Sequence, residues 1–383
     1  MSELKVAVVH YWLTGMRGGE KVLESICRLY PNADIYTHVY IPEKISETIK
    51  QHKITTTFIA RLPFAKKKYQ MYLPLMPLAL EQLDLTAYDL VISSESGPAK
   101  GVVTRPDALH ICYCHSPMRY VWDMYHSYIK NAGFLKKLLM APLIHYLKIW
   151  DYSSAARVDY FIANSSYVSQ RIKKIYRREA HVINPPVEVD AFSISEEIDD
   201  YYLLLGQLVP YKRPDLAVEA FVRSGRNLIV IGEGECLNEL KRKANGSGNI
   251  KFLGRQDFAQ IKRYYARCKA LVFPGIEDFG IVPLESMASG RPVIAFGAGG
   301  AMDSVLPGRT GIFFQQQTVS ALNDAVDRFE QDASRFSPQL MKDHAEKFSV
   351  PAFENALQNY IESKVNPTDT FIGTTQWASH SVA

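Results

Sequence analysis

The chain has 383 residues, 47% of them hydrophobic and 22% charged, which excludes wholesale disorder and, at roughly 150 residues per domain, predicts two or three domains. The net charge of +4 is uneven, with +7 over residues 1–190 and −3 over the remainder, so the first half either meets an anionic surface or substrate or simply carries a basic solvated face. Five cysteines, an odd count, argue against a disulfide framework, and no run of about 18 apolar residues is present to span a membrane.

The start, Met-Ser-Glu-Leu-Lys, lacks signal-peptide architecture and leads straight into strand-like Lys5–Leu13, so a cytoplasmic location is expected. A glycine loop follows at Gly15–Gly19, then a helix from about Glu20. Further strands are predicted at Asp34–Val39, Ile54–Ile59, Leu90–Glu95, Leu109–His115, Tyr160–Ser165 and His181–Asn184. Asn184-Pro-Pro-Val and the acidic Glu196–Asp200 interrupt this pattern, because consecutive prolines bar both helix and central strand. It restarts with strands at Tyr201–Leu208, Asn227–Gly232, Ile250–Leu253, Ala270–Pro274, Pro292–Phe296 and Gly311–Phe314, each followed by a helical pattern. This alternation predicts an α/β protein of two Rossmann-like units, residues 1–186 and 187–364, with the last helix able to pack back on the first unit. Residues 365–383 are polar and aperiodic, and a flexible tail is expected there. Two such units face each other across a cleft, so chemistry belongs on loops that follow strands.

Gly18 and Gly19 would let backbone amides approach a diphosphate, although an ordinary turn explains them equally well. Cys112-Tyr-Cys-His115 lacks the paired spacing of a zinc site, which leaves small buried thiols and a His115 facing the cleft. Beyond it, Arg119, Trp122 and Asp123 offer a cation, an aromatic face and an acceptor. Lys212 and Arg213 follow a strand and could neutralise charge on a leaving diphosphate, or merely be solvated. The loop with Arg255 edges another strand, where Asp257 serves equally well as a helix N-cap. In Phe273–Gly290, Pro283 suits the first position of a helix, which makes the amides of about Ile281 to Glu285 available to phosphate oxygens. Glu277 and Glu285 beside a phosphate site make sense as acceptors for sugar hydroxyls; taken singly, a solvated loop residue and a helix-dipole partner explain them as well.

The pair Glu277-x7-Glu285, with Phe279-Gly280 and Pro283 between, resembles the signature of family-4 retaining glycosyltransferases of the GT-B fold. The glycine loop, Leu208-Val-Pro-Tyr-Lys212 and His115 resemble further segments of that family, over about residues 3–362. The resemblance implies catalytic roles for His115, Lys212 and Glu277. It also implies substrate binding by Gly18, Gly19, Arg119, Arg213, Arg255, Phe279, Gly280, Ile281 and Glu285, with Glu277 on the hexose, Glu285 on the ribose and Arg255 edging the nucleotide. One departure stands out: Gly206-Gln207 replaces the usual Gly-Arg, so Arg213 is expected to substitute, or Lys212 and amides to suffice. His115–Asp123 and Val209–Leu216 resemble an O-antigen mannosyltransferase branch, which implies GDP-mannose as donor.

No Asp-x-Asp occurs in the chain, so transfer without a metal or other cofactor is expected. The basic-apolar stretches Phe64–Leu78 and Phe134–Trp150 could meet an anionic lipid surface, the inner face of the plasma membrane, and a lipid-linked glycan acceptor. The expected activity is hexose transfer in surface-polysaccharide synthesis. Rivals are a UDP-hexose transferase, a sugar-nucleotide epimerase or hydrolase on the same architecture, and a non-catalytic glycan- or membrane-binding protein. A nucleic-acid partner is not expected.

Overall fold

The computed structural model describes residues 4–123 and 133–365. The expected tail beyond Val365 lies outside these residues, as do the side chains of Lys136 and Lys137. Two parallel sheets organise the chain. The first holds seven strands: β1 (Val6–His10), β2 (Asp34–Thr37), β3 (Ile54–Thr56), β4 (Leu90–Glu95), β5 (Leu109–Cys114), β6 (Tyr160–Ala163) and β7 (Ala180–Val182), in the order β3-β2-β1-β4-β5-β6-β7. The second holds six: β8 (Tyr202–Leu205), β9 (Leu228–Ile231), β10 (Ile250–Gly254), β11 (Leu271–Phe273), β12 (Val293–Phe296) and β13 (Gly311–Phe314), in the order β10-β9-β8-β11-β12-β13.

The central strands are nearly continuous apolar runs because helices cover both faces of each sheet, whereas the edge strands β3 and β7 hold no fully buried residue. β1 shows the alternation directly. Val6 and Val8 point into one core with Val22, Leu23 and Ile26 of the first helix (Gly18–Leu29), while Ala7 and Val9 point into another with Leu147 and Trp150. A single larger core fills the second unit.

Strand order reverses between β1 and β4, and again between β8 and β11. Loops diverge at such points and leave a crevice at the strand C-termini. The chain crosses between the units at Asn184–Val187 and returns at Phe348–Val350. These crossings run side by side, with Val187 N donating to Phe348 O at 2.9 Å. The last helix, Val350–Val365, then buries Phe353, Leu357 and Ile361 in the core of the first unit, and Arg28 pairs with Glu354 at 2.6 Å. Structurally, the second unit therefore ends near Ser349.

Both proposed lipid-facing stretches lie on the first unit. Phe64–Leu78 folds as short helical turns in which Lys66, Lys67 and Lys68 are exposed, together with Phe64, Met71, Leu75 and Leu78. The helix Phe134–Ser154 buries Ile144, Leu147 and Trp150 but exposes Leu138, Tyr146, Ile149 and Tyr152. Among the described residues no helix is long and apolar enough to cross a membrane.

Two buried histidines tie loops to the first sheet as neutral rings. His38 meets Thr57 Oγ1 at 3.0 Å and Pro98 O at 3.2 Å; His110 meets Ser93 Oγ at 2.9 Å and Arg157 O at 3.1 Å. Burial lowers each to about 4. An unfolded histidine titrates near 6.5, so the unfolded chain binds more protons between these values. Stability is therefore full above pH 6.5 and falls as pH drops toward 4, by on the order of 1 kcal/mol per pH unit for each ring. Urea denaturation at pH 7.5 and pH 5 should show this decline, and equal midpoints would mean that the rings are not held neutral.

Candidate active site

The cleft is built where the two switch points face each other. Its main cavity, about 350 Å³, is walled on one side by Tyr11, Gly18, Gly19, Ser96, His115 and Arg119. Tyr211, Lys212 and the loop Glu277–Val282 wall the other. A second compartment of about 310 Å³ adjoins it and shares Gly18 and Ile281; it is lined by Arg17, Lys21, Glu188, Phe192, Phe258 and Glu285. Each volume is that of a small-molecule site.

Two helix N-termini open onto this space. Gly18 and Gly19 begin the first helix, and the Glu20 carboxylate accepts from Arg17 N at 3.0 Å. A Cβ on Gly19 would lie 2.4 Å from the Tyr11 hydroxyl, so the close approach of this helix requires glycine. Across the cleft, Gly280 precedes the helix Ile281–Ala288 with φ +87, a conformation that favours glycine. The helix thus begins two residues before Pro283, which occupies its third position rather than its first. Proline fits there too, because the first four amides of a helix have no intrahelical acceptor. As a result Glu285 is the fifth helical residue, two positions deeper than expected and in the second turn, and faces the second compartment.

Burial pushes the Glu285 carboxyl up, and the Tyr265 hydroxyl, donating to Oε2 at 2.8 Å, offsets part of that rise. Lys212 Nζ pairs with Glu277 Oε1 at 2.9 Å. Burial opposes its ammonium, but Glu277 and Tyr211 together outweigh burial and the pKa is raised, so Lys212 stays charged. His115 is driven down to about 3 by burial and by His10, and is a neutral ring at physiological pH. Arg119 lies over the Tyr211 ring at 5.1 Å and reaches Asp278 at 3.4 Å. Its Nε, like Asn164 Oδ1 on the same wall, has no hydrogen-bond partner among the described residues.

The cleft thus unites His115, Lys212, Glu277, Gly18, Gly19, Arg119, Phe279, Gly280 and Ile281, with Glu285 next door. Phe279 is mostly core: it is buried and packs against Phe348. Arg213 and Arg255 stand apart from both compartments. Arg213 is held by Asp215 at 3.1 Å and by Gln317, outside both compartments. Gln207 is exposed, at a small recess beside Lys212 and Glu277. Arg255 is exposed, and Asp257 caps the helix Phe258–Arg267 by accepting from Gln260 N at 2.8 Å.

Asp278 went unnoticed in the sequence. It sits next to Glu277 but points to the other unit, where Arg171 lies at 2.9 Å and Arg119 at 3.4 Å, while Ser165 donates to its carbonyl. Burial raises its carboxyl, and the two arginines offset only part of that rise. Arg171 also holds Asp123 at 2.8 Å, so Asp123 is engaged in this clasp. Its position inside the glutamate motif, directly after Glu277, was the available signal, but its partners lie more than 100 residues away. Replacing Asp278 by Asn leaves two guanidinium groups without their shared carboxylate, a loss on the order of 3 kcal/mol. Thermal unfolding and protease cleavage of the Asn184–Val187 crossing should both respond; wild-type behaviour in both would show that the clasp does not hold the units together.

Two family models match consecutive parts of the chain: Glycosyltransferase Family 4 over residues 16–191, and Glycosyl transferases group 1 over residues 189–348. An uncharacterised glycosyltransferase of Methanocaldococcus jannaschii is 28% identical over 171 residues, covering 44% of this chain and 48% of that protein. The human alpha-1,3/1,6-mannosyltransferase ALG2 is 28% identical over 323 residues, 74% of each chain. Among solved structures, Anabaena HepE in complex with UDP and glucose superposes with TM-score 0.69 at 16% identity, covering 94% of this chain and all of that one. Sucrose-phosphate synthase of Thermosynechococcus elongatus also gives 0.69 at 16% identity, over 94% and 99%. These likenesses show the GT-B fold.

Proposed function

The chain belongs to the family-4, group 1 glycosyltransferases, and from that premise we propose that it transfers mannose from GDP-mannose, with retention, to a lipid-linked glycan in surface-polysaccharide synthesis. The observation that carries the reading is the pair of helix N-termini, at Gly18 and Ile281, opening on one cavity beside Lys212. Amides and an ammonium suit a diphosphate there. Glu277 and Glu285, at the two ends of that diphosphate site, act as acceptors for hexose and ribose hydroxyls. Mannose as the sugar is supported by the human relative, and by a Corynebacterium glutamicum GDP-mannose-dependent mannosyltransferase 32% identical over 143 residues, 34% of this chain and 37% of that protein.

In the transfer step the acceptor hydroxyl attacks the anomeric carbon from the leaving-group face. Its proton passes to a diphosphate oxygen as the bond to the nucleoside diphosphate breaks. Negative charge growing on that leaving group is stabilised by Lys212 and by the amides at Gly280–Val282. Lys212 arrives neutralised by Glu277; a hydroxyl of the bound hexose takes up part of that carboxylate, which frees the ammonium for the diphosphate. These groups meet the charge without a divalent cation, in keeping with the absence of Asp-x-Asp.

Glu285→Ala and Lys212→Ala should each lower turnover by about 100-fold or more while leaving the fold intact, the lysine because it acts on developing charge and Glu285 because it positions the donor. Transfer assays with GDP- and UDP-sugars, with and without acceptor, measure this. Consumption of donor without acceptor would favour an epimerase or hydrolase. No binding of either nucleotide would favour a non-catalytic glycan- or membrane-binding protein.

The acceptor side rests on the exposed Phe64, Met71, Leu75 and Leu78 beside Lys66–Lys68, an apolar and cationic surface suited to anionic lipid at the inner face of the plasma membrane. Changing Lys66, Lys67 and Lys68 to Glu should cut binding to phosphatidylglycerol vesicles at least tenfold, since each cation contributes about 1 kcal/mol at such a surface. Unchanged vesicle binding would remove the membrane from the proposal.

A further inference from the structure

Behind His115 the first unit holds a buried polar chain that the transfer step does not use. His115 Nε2 lies 2.9 Å from Ser94 Oγ, and His10 Nδ1 lies 3.1 Å from the same oxygen. His10 Nε2 faces Glu20 Oε1 at 3.9 Å and has no hydrogen-bond partner. Glu20 Oε2 is already engaged by Arg17 N at the start of the first helix. His10, Glu20 and Ser94 are all buried.

The protons in this chain can be ordered. A hydroxyl has one hydrogen and two lone pairs, so Ser94 either donates to one ring and accepts from the other or accepts from both. Were Ser94 to donate to His115 or to accept from both rings, a neutral His10 would donate from Nδ1 and turn a bare Nε2 toward the Glu20 carboxylate, lone pair against negative charge in a buried setting. The opposite order places an N–H on Nε2 toward Glu20, leaves His10 Nδ1 free to accept from Ser94, and makes Ser94 accept from His115 Nε2. His115 is then bare at Nδ1. That atom makes no hydrogen bond among the described residues, and His115 lines the main cavity.

We propose that Glu20, His10 and Ser94 are positioning residues that hold His115 as its Nε2–H tautomer, so that Nδ1 is presented to the cleft as an acceptor for a hydroxyl of the transferred hexose. This rests on the glycosyltransferase reading above. The relay also ties the His115 ring to the helix start at Gly18, since Glu20 serves both. Depression of the His115 pKa is consistent with a ring that accepts rather than carries charge.

Nitrogen-15 NMR of the full-length protein labelled at histidine, with His115 assigned by its loss in His115→Gln, reads the tautomer without substrate. Protonated Nε2 and bare Nδ1 are expected. In Ser94→Ala the tautomer becomes mixed and kcat falls about tenfold, the scale of one well-placed hydrogen bond. Binding of GDP or UDP alone by calorimetry stays within twofold, because both lack the hexose whose hydroxyl His115 takes. Ser94→Thr restores both tautomer and kcat. Should Ser94→Ala fail to fold, His10→Leu is expected to reproduce its defects, whereas His10→Asn, which keeps an acceptor for Ser94, is expected not to. Protonated Nδ1 in the wild type, or wild-type kcat and tautomer in both Ser94→Ala and His10→Leu, overturns the relay. Failure of the wild type to bind GDP and UDP counts against the transferase reading instead, and the ring nitrogens still decide the relay.

Discussion

Two helices point their N-termini into one cleft, and the rest of the site answers that arrangement. Each end presents amides without intrahelical acceptors and a partial positive charge. In the first unit the end at Gly18 is closed on one side by the Glu20 carboxylate, which also reaches toward His10. In the second, Gly280 turns the chain so that Ile281 and Val282 begin the helix at the cavity wall. An anion placed between the units would meet both.

The charges around that space are matched before any ligand enters. Lys212 is paired with Glu277, and Arg119 with Asp278. Adjacent carboxylates on one loop therefore have separate tasks: Glu277 faces a cation of its own unit, and Asp278 faces two cations of the other. A buried ion pair is weak evidence for stability, but one that bridges two units fixes their relative placement. The clasp at Asp278 and the parallel crossings at Val187 and Ser349 act at different places on the same cleft, one between loops and one along the backbone. The last helix, beyond the return crossing, completes the core of the first unit, so that core closes only after the chain has passed through the second.

Local pattern determined much of this protein. Short β-rich runs between glycine and proline breaks predicted all of the described strands, most sharply the central ones, where helices bury both faces and leave no polar face to blur the signal. The motif from Glu277 to Glu285, the glycine loop, His115 and Lys212 each follow a strand, and loops after strands are where a doubly wound sheet opens. The two prolines after Asn184 marked the crossing, since they admit neither helix nor central strand.

Only the tertiary structure decided what those residues face. Arg213 and Lys212 are neighbours in the chain, yet one turns to Asp215 and the other to Glu277, a choice made by the left-handed backbone at Arg213. Arg255 carries the same charge as Arg119, but lies outside the cleft because its loop packs elsewhere. Asp278 met Arg171, and Ser94 met both His10 and His115, across separations that no local pattern encodes. Strand and helix follow from the periodic burial of neighbouring side chains, which a single sequence displays. Ion pairs and proton order depend on which loops the two switch points bring together, and that is set by the packing of whole sheets.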